Sequence, residues 1–189
     1  MSSHHIVREK QEPALLIMAI DSFDEEYLGQ LLEWSPTVLI PAFLAEKVAS
    51  MGIKIDVVFA DESTSLQEHI KVLPGGTDVL ESALKYLVAE GYPAVNIISN
   101  HFKAKEYLFF VEFIDIVVFS KDRKIYPIKS GFSKWKNETQ EIYILHPELI
   151  QNLSFSGLEQ ENLAHYQTVK DGFFSFTFDQ PFIFIAEQL

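Results

Sequence analysis

Ile55-Asp56-Val57-Val58-Phe59-Ala60, closed by Asp61-Glu62, is a short apolar run that ends in charge. A run of this length and β-branched content reads as a buried strand. Downstream, past Pro74-Gly75-Gly76, Asp78 to Glu90 places Leu80, Ala83, Leu84 and Leu87 on one helical face, and Gly91-Tyr92-Pro93 stops it. Upstream, Thr37 to Ala42 repeats the strand pattern, and Phe43 to Met51 reads as a short helix closed by Gly52. Ala14 to Ile20 is the first strand. Ser22 to Glu33 follows as a helix, with Ser22 and Glu25 at capping-box spacing and Leu28, Leu31 and Leu32 as its stripe. Ala94 to Ser99 and Asp115 to Ser120 read as two more strands, with a helix over Lys103 to Phe113 between them. Apolar strands separated by amphipathic helices predict an α/β fold, a parallel sheet with helices on both faces.

Beyond about residue 120 the pattern changes. Lys124 to Lys129, Glu141 to Leu145, Thr168 to Phe178 and Pro181 to Ala186 are strand-like, with no long helix between them. Phe174, Phe176 and Phe178 alternate with Ser175 and Thr177, the period of a half-buried strand. The expected organisation is an α/β domain over residues 1–120 and an antiparallel β-domain over 121–189. The aromatic strand from Phe173 to Phe178 has two readings, a homodimer face or the core of its own domain.

The 189 residues carry 15 Lys and Arg against 27 Asp and Glu, a formal charge of −12, and no cysteine. That balance argues against electrostatic binding to nucleic acid or to an anionic membrane. The missing cysteines exclude disulfides, thiolate metal sites and a cysteine nucleophile. No targeting segment or membrane-spanning run is read, so a cytoplasmic location is the expectation.

In a parallel α/β sheet, ligands bind beyond the carboxyl ends of the strands. Asp21, Asp61-Glu62 and Asn100-His101 follow predicted strands, and Asp78 follows the Gly-Gly loop. Carboxylates there suit Mg²⁺, a hard cation that takes oxygen ligands and bridges to phosphates. Asp78 and Glu81 also have capping-box spacing, so Asp78 is open to a second reading as a helix cap.

Gly52-Ile53-Lys54-Ile55-Asp56-Val57-Val58-Phe59-Ala60-Asp61-Glu62-Ser63-Thr64 resembles the thiamine pyrophosphokinase segment that reads roughly GIKPDVVIGDFDS. Thr77, Asp78, Glu81, Ala83, Leu84, Gly91 and Tyr92 resemble the Thr-Asp helix that follows it in that family. Asp171-Gly172 to Glu187 is similar to its last two strands and Gly157-Leu158 to the Gly-Leu before them, so the likeness spans nearly the whole chain. The resemblance implies Mg²⁺-dependent transfer of a diphosphate from ATP to thiamine by a homodimer. It puts Asp61 and Asp78 in the catalytic, metal-holding positions and Glu62, Thr77, Asn100 and His101 in nucleotide-binding ones.

Several positions depart from the family pattern. Ala60 stands for the leading Gly and Ser63 for the second Asp, and Pro41-Ala42 fall where an Asp-Gly pair is expected. Asn100-His101-Phe102-Lys103 replace a Gly-Gly-Arg-x-Asp-His loop. Glu62 offers a substitute carboxylate, and Lys103 or Lys105 a substitute cation. These departures open an alternative, a non-catalytic relative that keeps the fold as a ligand-binding or interaction module.

Overall fold

A computed structural model describes residues 12–21, 23–60 and 70–189, and the chain divides into two compact units after Ile116. The first unit opens with β1 (Ala14–Ile17), α1 (Glu25–Leu32) and β2 (Val38–Pro41). A 3-10 turn (Ala42–Leu44) then runs into α2 (Ala45–Ser50), followed by β3 (Val57–Ala60), β4 (Lys71–Pro74), α3 (Val79–Ala89) and β5 (Ala94–Ile98). The strands lie in the order β5-β1-β2-β3-β4, every pairing parallel. All residues of β1, β2 and β3 are buried, as central strands covered on both faces must be.

Two helical expectations change. The first helix starts at Glu25, with Asp24 as its cap accepting the Glu26 and Tyr27 N–H groups at 2.9 and 3.1 Å. Ser22, expected in that role, lies outside the described residues, and of the expected stripe only Leu28 is fully buried. The segment over Lys103 to Phe113 is not a helix. After a 3-10 turn (Ala104–Glu106) it continues as tight turns, with Phe110 N–H donating to Tyr107 O at 2.8 Å and Phe113 N–H to Phe110 O at 2.9 Å. Tyr107 and Phe110 anchor it inside while Phe109, between them, is 70% exposed. Bulky aromatic side chains crowd the preceding turn of an α-helix, which favours this looser path. β4 was not anticipated from the sequence, because its side chains are largely exposed and leave no apolar run.

The division falls within β6 (Asp115–Ser120). The second unit continues with β7 (Arg123–Ile128), β8 (Phe132–Lys136), β9 (Glu141–Ile144), β10 (Ser154–Ser156), β11 (Leu158–Gln160), β12 (His165–Thr168), β13 (Gly172–Thr177) and β14 (Ile183–Gln188). It forms two antiparallel layers, β11-β12-β9-β14-β7-β6 and β10-β13-β8. The strand expected over Thr168 to Phe178 is shorter: Thr168 closes β12 in one layer, and only Gly172–Thr177 forms β13, in the other. Phe174, Phe176 and Phe178 point between the layers onto Ile142, Ile144, Tyr166 and Ile185, so these rings form the unit's own core. Of the Phe rings in that stretch, only Phe173 is strongly exposed, opposite the half-exposed Trp135 on β8.

Candidate functional site

β1 is flanked by β2 on one side and β5 on the other, so the direction of strand succession reverses beside β1. Ligands of open α/β sheets sit at the carboxyl edge near such a reversal. At this edge the turn after β4 fixes the start of α3. Gly75 N–H donates to Ala60 O at 3.1 Å, Gly76 takes φ +62°, and Ser82 Oγ ties back to Gly75 O at 2.8 Å. A left-handed residue there suits glycine. The chain then presents Thr77 and Asp78, both exposed.

Asp78 is the cap of α3. Its Oδ1 accepts the Glu81 N–H at 3.1 Å, which satisfies one of the orphan donors of the first turn. Oδ2 carries no hydrogen bond among the described residues. An open cleft of about 420 Å³ lies alongside, bounded by Asp78, Glu81 and Lys85 of α3 and by Lys105, Phe109 and Phe110 from the segment after β5. Lys85 pairs with Glu81 at 2.6 Å and Lys103 with Glu106 at 3.2 Å. Lys105 has no ion pair among the described residues and lines the cleft, whereas Lys103 does not.

The structure brings only part of the predicted set together. Asp78 lines this cleft, while Thr77, Asn100 and His101 are not among its lining residues. Asn100 and His101 are exposed on the loop after β5, where Ser99 Oγ donates to His101 O at 2.9 Å and accepts the His101 N–H at 3.3 Å. Asp61 and Glu62 lie outside the described residues. Asp21, beyond β1, is engaged by the Lys47 ammonium from α2. β2 ends in Pro41 and passes directly into the 3-10 turn at Ala42, so that strand end supplies no carboxylate.

Tyr107 was missed from the sequence. It is fully buried, stacks on Phe102 at 5.1 Å with planes 6° apart, and its hydroxyl has no hydrogen-bond partner among the described residues. Burial, with the charges of Glu106 and Asp78, holds this phenol far above its ordinary range. No sequence signal marks it, since an aromatic residue in an apolar run reads as core.

Among the described residues no three His, Cys, Asp or Glu side chains converge as a metal site. Asp78 offers one free carboxylate oxygen. That fits Mg²⁺ delivered with a nucleotide, because the ion binds through one or two carboxylates, substrate phosphates and retained waters. A second cleft of about 410 Å³, lined by Thr37, Val38, Gly52 and Asp56, lies at the opposite strand edge. There Asp56 is already committed, to Val38 N–H at 3.0 Å and Lys54 at 2.6 Å.

No helix among the described residues is long and apolar enough to cross a membrane. No family model and no curated protein matches the sequence. Solved structures do match in fold. Thiamine pyrophosphokinase from Bacillus subtilis superposes with TM-score 0.65 at 14% identity, over 94% of this chain and 99% of that one. Thiamin pyrophosphokinase from Geobacillus thermodenitrificans gives TM-score 0.70 at 9% identity, over 93% and 96%. The yeast thiamin pyrophosphokinase gives 0.65 at 9%, over 95% and 87%. At such identities the likeness is one of architecture, and it covers both units. The chain has the thiamine pyrophosphokinase fold.

Proposed function

We propose that this chain is a divergent thiamine pyrophosphokinase that binds Mg-ATP and thiamine and transfers a diphosphate between them. One observation carries the proposal, the end-to-end match in fold, with a cleft at the expected strand edge where Asp78 and Lys105 face each other's segments. In the reaction, the thiamine hydroxyl oxygen forms a bond to the β-phosphorus of ATP. The bond from that phosphorus to the α-phosphate oxygen breaks, AMP leaves, and the hydroxyl proton passes to solvent or a carboxylate. Asp61 and Asp78 hold the Mg²⁺ that accompanies ATP, which spreads the phosphate charge. Glu62, Thr77, Asn100 and His101 contact the nucleotide in this proposal, the last three from positions outside the lining of the cleft, and Lys105 takes the place of the family's arginine. Excluding water from the cleft falls to Phe109 and Phe110. A homodimer and a cytoplasmic location belong to the same proposal. The exposed Trp135–Phe173 pair supports the former, and sedimentation of the purified chain tests it.

A second reading, a non-catalytic relative that retains a binding site, is favoured by two specific features. β2 ends at Pro41 and leads into Ala42 without a carboxylate, and Asp78 is half committed to its helix. Loss of preorganised charge stabilisation costs orders of magnitude in rate. Incubation with Mg-ATP and thiamine, followed by chromatographic detection of thiamine diphosphate and AMP, separates the two. Product that disappears in Asp61→Asn and Asp78→Asn supports the enzyme. Calorimetric binding of Mg-ATP without product supports the second reading, and neither product nor binding overturns the nucleotide site altogether.

A further inference from the structure

The second unit holds a charged cluster that plays no part in the site above. Glu187 of β14 is 3% exposed and lies between the two layers. Lys134 Nζ reaches its two carboxylate oxygens at 2.6 and 2.9 Å, Lys136 Nζ reaches Oε2 at 2.7 Å, and the Tyr126 hydroxyl donates to Oε1. A single carboxylate needs one cation. Two are in contact with it, and a third approaches from β7, where Lys124 stands directly opposite Glu187 in register.

Three ammonium groups against one carboxylate leave two positive charges uncompensated. Neither Lys124, Lys134 nor Lys136 reaches another carboxylate among the described residues. Lys124 lies near the faces of Phe119 and Tyr126, 5.9 and 6.0 Å from their centroids. Aromatic faces soften its burial without adding negative charge. Uncompensated charge at a partly buried position is costly, and in a chain of net charge −12 so local a positive excess is out of character. From this geometry we infer that Lys124, Lys134 and Lys136 form a binding site for a tetrahedral oxyanion of the phosphate class, with Tyr126 and Glu187 holding the lysines in place. The repulsion is visible in Lys124, whose ammonium is held below the ordinary lysine range by burial and by its neighbour Lys134. A doubly charged anion seated among the three would balance the cluster and accept hydrogen bonds from donors that Glu187 cannot satisfy alone.

The test is thermal unfolding of the full chain in inorganic phosphate against sodium chloride of equal ionic strength, with ATP run in parallel. Saturating phosphate should raise the midpoint by about 3 °C or more at ten times its dissociation constant. Lys124→Met should abolish that rise and, by removing the repulsion, should not lower the midpoint in chloride. Lys124→Gln serves in its place if the Met variant does not fold. No phosphate effect on the parent chain overturns the inference, and so does an equal effect on the parent and the variant. A response to ATP without one to phosphate assigns the anion to the cleft beside Asp78 and likewise overturns it. The outcome is independent of the kinase reading, because neither thiamine nor Mg²⁺ enters the measurement.

Discussion

The Asp78 carboxylate accepts the Glu81 N–H at 3.1 Å, and Glu81 in turn pairs with Lys85 at 2.6 Å. Asp78 thus has a structural duty whatever it does for a ligand, and two substitutions separate the roles. Asn caps a helix about as well as Asp, so Asp78→Asn should stay within about 0.5 kcal/mol of the parent in urea unfolding, while Asp78→Ala should lose about 1 kcal/mol. Both remove the charge, and both should weaken Mg-ATP binding about tenfold or more by calorimetry. Undiminished binding in both variants would reduce Asp78 to a cap.

Much of this region was legible because its pattern and its burial agree. Leu80, Ala83, Leu84 and Leu87 were predicted as one face, and all four are buried. The central strands read equally well, since burial on both faces leaves a continuous apolar run. β8 defeats the same logic, because Lys134 and Lys136 turn inward to Glu187 while Trp135 points out. Its polar pattern inverts the usual sides, and only the tertiary partner explains it. Tyr107 was hidden for a related reason, and the sequence left Lys103 and Lys105 as equal alternatives: their segment looks helical in its apolar content but folds as successive turns that aim each side chain separately.

Glu187 should govern acid stability in the second unit. Burial alone would raise its carboxyl, but hydrogen bonds from Lys134, Lys136 and Tyr126 outweigh that and hold it below the ordinary carboxylate range. A depressed folded pKa stabilises the protein above the unfolded value, near 4.3, and that stabilisation is lost as pH falls through the folded one. Glu187→Gln should therefore unfold with less pH dependence below about pH 5, measured by circular dichroism. At neutral pH it should lose about 2 to 3 kcal/mol, the low side for a broken buried pair because Lys134 stays a third exposed. An unchanged acid profile would show that Glu187 is not the titrating group.

The Tyr107 hydroxyl, without a partner among the described residues, makes a prediction of opposite sign. A buried donor without an acceptor bears its desolvation cost with no return, so deleting it relieves the fold. Tyr107→Phe keeps the ring on Phe102 and should gain about 1 kcal/mol, a rise of about 2 to 4 °C in the unfolding midpoint. A loss of stability instead would reveal a partner for the hydroxyl in solution.

Gly157 lies between β10 and β11, which belong to different layers, so the chain changes layers at this one residue. Its φ is +72°, and a Cβ built there would sit 2.4 Å from Phe173 O and 3.1 Å from Phe174 Cα. The obstacle is backbone, part of the strand that carries the core ring Phe174, and it cannot rotate aside as a side chain would. A left-handed conformation alone costs an L-residue about 1 to 2 kcal/mol, and relieving an overpacked contact adds about as much. Gly157→Ala should therefore lose about 3 kcal/mol in chemical unfolding. The loss must come from the second unit, so exchange of the Phe174 and Phe176 amide protons should accelerate while that of the β1 amides stays near its parent rate. A variant as stable as the parent would mean that β10 and β11 can be joined without this close approach.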